Sequence, residues 1–230
     1  QTLFISGSIN TKRNLSRLIE KHRCWVPNVS PKRLSKLVTR LDLYRKIINL
    51  RGEIIECGVF KGSSLMQFIK LRSIIETPFS RKIIAFDTFG EFPSANYKGD
   101  EKVLDSFIKE AGNNSISEGQ ILQKLKDLKL EDNIELIKGN LLDTAHTYLS
   151  RNPGLKICLL HIDVDLYEST KCVLENFFPH VVKGGVVILD DYGAFPGANK
   201  AIDEYFDKNN IAIKQLPNSN SISYIVKESY

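Results

Sequence analysis

The chain has 230 residues, which suits one domain with appendages or two small domains. Its 42% hydrophobic and 26% charged residues are those of a soluble globular protein, not of a disordered or fibrous one. No apolar run approaches the roughly 18 residues of a membrane span, and the start lacks the basic-then-apolar pattern of a secretory signal. Cys24, Cys57, Cys158 and Cys172 are scattered, with no CxxC or Cys/His spacing for zinc. A reduced, cytoplasmic setting is the expectation. The net charge of +5 hides an asymmetry: residues 1–51 hold 12 Lys and Arg against 2 Asp and Glu, a net of +10, and the remainder holds 20 against 25, a net of −5. A basic segment of this kind meets nucleic acid or an acidic membrane surface in some proteins. With no nucleic-acid motif beside it, it reads better as a solvated helical face or a helix packed on the acidic body.

The elements follow in chain order. Asn14–His22 has helical spacing and is broken at Trp25-Val26-Pro27. Ser30-Pro31 is a capping serine before a proline at the first helical position. Apolar residues from Leu34 to Ile48 then recur at threes and fours, so 31–49 is predicted as an amphipathic helix. From Glu53 the rhythm becomes strand, helix, strand. Strands are predicted at Glu53–Cys57, Lys82–Phe86, Asn133–Ile137, Lys156–Ile162 and Val186–Leu189, the last entered through a turn at Lys183-Gly184-Gly185. Helices are predicted at Ser63–Ile75, Glu101–Ala111, Glu118–Leu128, after Asn140 to Leu149, at Glu168–Phe178 and at Ala198–Asp207. Two late strands, Ile211–Gln215 and Ser221–Val226, are joined closely enough to form an antiparallel hairpin at a sheet edge. The alternation implies an α/β fold of the Rossmann-like kind, with a mostly parallel seven-stranded sheet and helices on both faces. Residues 1–50 read as an N-terminal helical extension and 51–230 as the main domain.

Leu159–Tyr167 (LLHIDVDLY) and Val186–Tyr192 (VVILDDY) are apolar runs that end in aspartates. Short runs of this type are what buried parallel strands look like. Ligands of open α/β sheets sit beyond the carboxyl ends of the strands. If the two strands are neighbours, Asp163, Asp165, Asp190 and Asp191 share one rim. Crowded like charges repel, and a hard divalent cation such as Mg²⁺, with its preference for oxygen ligands, would relieve them. The plainer reading makes Asp190-Asp191 a cap on the turn at Gly193. His161 alternates with Asp163 and reads as a packed or supporting histidine more than as a base.

A second locus follows the first strand: Glu56, Cys57, Gly58, Val59, Phe60, Lys61, Gly62, Ser63 and Ser64. Glycines there let a ligand approach the backbone, and the next helix offers free N–H groups. The spacing is G-x-x-x-G, not the G-x-G-x-x-G of a dinucleotide site, and tight packing is the alternative explanation. Asp87, ending the second strand, is placed to accept hydrogen bonds from a ribose or to cap a turn. Together these describe a nucleoside site without a pyrophosphate, as S-adenosylmethionine (SAM) would need.

From about Leu34 to Tyr230 the chain resembles the macrocin O-methyltransferase family (TylF/MycF-like), SAM- and Mg²⁺-dependent sugar O-methyltransferases. The resemblance is carried by Glu56–Gly62, Phe86-Asp87-Thr88-Phe89 with Phe92-Pro93, Lys138-Gly139-Asn140, His161–Thr170 (HIDVDLYEST) and Gly184-Gly185 through Asp190-Asp191-Tyr192. The family's V-W-R-G-G is here Val59-Phe60-Lys61-Gly62-Ser63, and its D-S-F-E-G is Asp87-Thr88-Phe89-Gly90-Glu91. The resemblance implies a class I methyltransferase sheet, with Asp163, Asp190 and Asp191 holding the metal and Asp165 as general base beside His161. It places Glu56 and Gly58 at the amino-acid portion of SAM and Asp87 at its ribose. Cys57, Phe60, Gly62, Ser63, Ser64, Thr88, Gly139 and Asn140 complete the expected cofactor site. The expected partner is a small sugar or glycoside acceptor, with no membrane, no nucleic acid and a homodimer or higher oligomer. The alternatives are a same-clan enzyme of different reaction, a SAM-binding protein without catalysis, and an RNA methyltransferase using the basic arm.

Overall fold

The computed structural model describes residues 30–207, 211–219 and 221–228. The helix expected at Asn14–His22 lies outside them. The chain divides into two compact units, residues 1–35 and 36–230. Of the first, only 30–35 are described; they open helix α1 (Pro31–Arg45). The helix stops four residues short of the expected end and gives way to a turn at 46–50.

The second unit carries a seven-stranded sheet of β1 (Glu53–Cys57), β2 (Ile83–Asp87), β3 (Ile134–Lys138), β4 (Ile157–Ile162), β5 (Val181–Leu189), β6 (Lys214–Gln215) and β7 (Ser223–Val226). The strand order is β3-β2-β1-β4-β5-β7-β6. The first five strands pair in parallel, and β7 pairs antiparallel with both β5 and β6. The edge hairpin expected from the short late connection is thus present, with each strand shorter than its apolar pattern. The helices are α2 (Ser63–Ile75), α3 (Glu101–Ala111), α4 (Glu118–Leu128), α5 (Leu141–Arg151), α6 (Tyr167–Phe177) and α7 (Pro196–Phe206), with a 3₁₀ turn at Phe178–His180.

Alternation along the strands divides the core into two layers, because successive side chains leave a strand on opposite faces. Ile55, Cys57, Ile84, Phe86, Leu160 and Ile162 pack with Ala145 and Tyr148 of α5, Leu174 and Phe177 of α6 and Ile202 and Phe206 of α7. Ile54, Ile83, Ala85, Val186 and Ile188 pack with Leu43 and Tyr44 of α1, Leu65 and Phe68 of α2 and Ile121 and Leu125 of α4. The C-terminal half of α1 is therefore part of this core. Every residue of β4 is buried, as its unbroken apolar run requires.

Two local departures from the sequence pattern have physical causes. β5 begins at Val181, five residues before the apolar run, because the 3₁₀ turn at Pro179 feeds directly into it; the irregular Lys183–Gly185 stretch is absorbed as a register shift against β4. The turn after α1 is gathered by the buried Arg81, whose guanidinium donates to the carbonyls of Ile47, Ile48, Leu50 and Gly52 and to Glu76 at 2.6 Å. Arg81 is at the end of the sheet away from the aspartates, so this network serves stability.

Candidate active site

The C-terminal rim of the sheet is built where β1 and β4 end. Gly58 has φ +88°, and a Cβ there would lie 1.8 Å from the backbone oxygen of Asp163. The backbones are also tied by Asp163 N–H donating to Cys57 O at 2.9 Å. Close packing against β4 therefore accounts for the glycine at 58. Cys57 points into the core and is fully buried. Gly62 caps α2 in the left-handed region and itself offers no side-chain acceptor to the helix's first turn. Ser63 at that helix start is exposed and Ser64 is buried.

Asp87 organises the neighbouring loops. Its Oδ2 accepts from Val59 N–H at 2.8 Å and Phe60 N–H at 3.0 Å, and its Oδ1 accepts from Phe89 N–H at 2.7 Å and, at 3.4 Å, from Thr88 Oγ1. Its backbone oxygen accepts from Gly139 N–H at 3.0 Å, and Asn140 caps α5 through Leu142 N–H at 3.0 Å. The turn-capping role is thus realised. Both lone pairs of Oδ2 are engaged by backbone N–H groups, and the long Thr88 contact on Oδ1 is the one an outside hydroxyl could replace.

β4 and β5 are neighbours, and the four aspartates come to one rim. Asp163, Asp165 and Asp191 each bring a carboxylate oxygen within 4.8 Å of the others. Asp165 has φ +59°, a conformation rare for a side chain with a Cβ, and its N–H donates to Asp191 Oδ2 at 2.9 Å. That conformation turns the chain sharply between β4 and α6 and sets Asp165 back beside Asp191. Burial, and then repulsion from Asp163, push the Asp165 carboxyl up to about 7. Burial and the neighbouring carboxylates also raise Asp163 and Asp191 well above the usual range.

Asp190 has a different environment. Lys36 Nζ donates to its Oδ2 at 2.6 Å and Arg40 to its Oδ1 at 3.2 Å. Burial would raise it, but the cationic Arg40 and Lys36 outweigh burial and hold it below the usual carboxylate range. Where the sequence reading grouped Asp190 with Asp163 and Asp191, the geometry clusters Asp165 with those two. Lys36 and Arg40 were missed as site residues. The signal was the basic N-terminal excess, part of which is spent on a helix packed against the acidic body.

Beneath the rim lies a buried polar pair. Glu56 and His161 are neighbours across β1 and β4, both fully buried, with His161 Nδ1 3.8 Å from Glu56 Oε1. Ser64 donates to Glu56 Oε1 at 2.5 Å, while Glu56 Oε2 and both His161 nitrogens have no hydrogen-bond partner among the described residues. Burial, opposed by Ser64 and Arg40, raises Glu56 to about 8, and burial with nearby Arg40 lowers His161 to about 3. Both are therefore uncharged at neutral pH, and His161 packs edge-on against Phe68 at 5.3 Å.

The rim is bordered by aromatic rings from separate segments. Phe60, in the loop after β1, lies 5.2 Å from Phe107 and 6.4 Å from Phe92, and Phe107 lies 6.1 Å from Phe195, four residues after Asp191. Asp100 fastens this border. It is fully buried, accepts from Tyr167 N–H at 3.0 Å and Gly197 N–H at 2.7 Å, and so caps the starts of both α6 and α7. A side chain at 197 would collide with it, since a Cβ there would sit 2.0 Å from Asp100 Oδ2.

The chain matches known proteins in sequence and in fold. The macrocin-O-methyltransferase (TylF) family matches residues 28–218. Demethyldecarbamoylnovobiocin O-methyltransferase of Streptomyces niveus is 31% identical over 187 residues, which are 76% of this chain and 68% of that protein. Among solved structures, the O-methyltransferase NovP superposes with a TM-score of 0.74 at 26% identity, covering 85% of this chain and 80% of its own. CalS11, a calicheamicin methyltransferase, gives 0.69 at 26% identity, covering 100% and 98%. The chain spans 58% to 68% of the lengths of the curated relatives it matches. A class I methyltransferase sheet ending in an aspartate rim, matched along most of its length, places this chain in the macrocin-O-methyltransferase family.

Proposed function

We propose that the protein moves a methyl group from SAM to a hydroxyl of a sugar or glycoside, with a divalent cation in the aspartate cluster. The observation that carries this reading is the convergence of Asp163, Asp165 and Asp191 at the rim next to the β1 loop. The donor set is all oxygen and strongly anionic, which fits a hard cation such as Mg²⁺. The loop from Gly58 to Gly62, the start of α2 and Asp87 fit a nucleoside with a carboxylate tail, since a helix start favours an anion.

Asp163 and Asp191 would hold the cation, with Asp190 as the further ligand that the family resemblance implies. When bound, it supplies a lowered hydroxyl pKa and a fixed orientation for the acceptor oxygen. Asp165 receives the acceptor's proton. Its backbone is pinned by Asp191, so the carboxylate is held in place and little reorganisation is needed. The acceptor oxygen then takes the methyl group in line while the sulfur keeps the bonding pair. The remaining negative charge of the rim favours the positive sulfonium before transfer. His161 and Glu56, buried and uncharged, support β1 and β4 from below and do not reach the surface of the site. Phe60, Phe92, Phe107 and Phe195 limit water at the border.

Two relatives of this chain are named for their acceptors, a rhamnosyl-tetracenomycin 4′-O-methyltransferase and mycinamicin III 3″-O-methyltransferase. They support a deoxysugar glycoside as the first acceptor class to test. Incubating the protein with SAM, Mg²⁺ and such glycosides, followed by mass spectrometry, is expected to show the gain of one methyl group. Absence of SAM binding by calorimetry, together with no methylated product, would overturn the reading.

A further inference from the structure

The cations on Asp190 are not equivalent. Lys36 and Arg40 are one turn apart on α1 and therefore reach the same carboxylate from the same helix face. Arg40 is nearly all buried and is also held by Gln67 Oε1 at 3.0 Å, so it is fixed on two sides. Lys36 keeps 28% of its side chain exposed and, among the described residues, pairs with Asp190 Oδ2 alone. Its flexible stem and compact ammonium allow it to leave for solvent, whereas the Arg40 fork is locked. Asp190 Oδ2 is thus the oxygen whose partner can be exchanged.

We propose that Lys36 is a positioning residue that serves as an exchangeable counter-cation. It holds Asp190 Oδ2 while the aspartate cluster is empty and withdraws when a divalent cation enters, with Arg40 keeping Oδ1 throughout. The proposal rests on the metal reading of the rim. Two consequences follow from elementary electrostatics. Lys36 relieves repulsion among four neighbouring carboxylates in the metal-free protein, and it competes with the metal for one of them.

The test uses the full chain and Mn²⁺, whose free form is counted by electron paramagnetic resonance during titration, with thermal melting of the metal-free protein alongside. Lys36→Met is expected to bind Mn²⁺ about three- to tenfold more tightly than wild type, the range that a partly exposed ion pair commands. It is also expected to melt earlier without metal and to gain more from metal addition. Lys36→Arg, which holds Asp190 more firmly, is expected to bind Mn²⁺ more weakly than wild type. Equal or weaker Mn²⁺ binding by Lys36→Met overturns the exchange role while leaving the metal site standing. No Mn²⁺ binding by wild type overturns the metal reading and the exchange role with it.

Discussion

Gly58 and Asp163 stand so close that no side chain fits between them: a Cβ on residue 58 would fall 1.8 Å from the Asp163 backbone oxygen. The contact fixes the end of β1 against the end of β4, and it therefore fixes where the first carboxylate of the rim sits. Gly58→Ala is expected to cost about 3 kcal/mol or more, because backbone must move on both strands and φ is positive. Gly154→Ala, with nothing within 4 Å of its added Cβ, is expected to stay within about 0.5 kcal/mol of wild type. Urea denaturation of the two variants checks the contrast.

Glu56 gives a pH signature. Its ordinary value is 4.5, and burial raises it to about 8 in the fold. Between those values the folded protein keeps a proton that the unfolded chain has released, so this group makes stability fall as pH rises from about 4.5 to about 8. Glu56→Gln removes the titration but still accepts from Ser64. Its stability relative to wild type is expected to improve across that window, by up to a few kcal/mol, and to level off above it. Denaturation at pH 5, 6.5 and 8 tests this; a difference that does not vary with pH would contradict the buried, protonated Glu56.

Asp100 joins two helix starts through one carboxylate. Asp100→Ala is expected to cost about 2 kcal/mol, since one buried and one part-buried N–H group lose their acceptor. Hydrogen exchange at Tyr167 and Gly197 is expected to accelerate together, whereas exchange in β4 stays slow. Acceleration at only one of the two amides would show that the helices are fastened separately.

Asp165→Asn is expected to lower methyl transfer about 100- to 10,000-fold with SAM binding retained, the range of a lost general base. For wild type, kcat/KM is expected to fall on the acid side. The free carboxyl near 7 must be ionised to accept a proton, and a bound cation beside it moves that limb to lower pH. Full activity in Asp165→Asn, or a profile flat on the acid side, would assign the proton elsewhere.

Much of this was legible locally. Ser63–Ile75, Glu101–Ala111 and Glu118–Leu128 begin and end where their spacing predicted, because caps and apolar period are properties of neighbouring residues. The edge hairpin followed from the short connection between its strands. β5 was not legible at its start: Val181–Gly185 lacks an apolar run, and its strand geometry comes from pairing with β4. Asp87 showed its place at a strand end but not its use, since its donors Val59 and Phe60 come from another loop.

The sequence by itself determined the order of strands and helices and the placing of aspartates after two buried runs, because both depend on short-range pattern. Only the tertiary structure decided which of those acids cluster. The order β3-β2-β1-β4-β5-β7-β6 sets β4 beside β5, the left-handed turn at Asp165 brings that residue to Asp191, and α1 delivers Lys36 and Arg40 to Asp190. Charges 150 and more positions apart in the chain meet there, and no periodicity in the sequence encodes a meeting fixed by packing across the sheet.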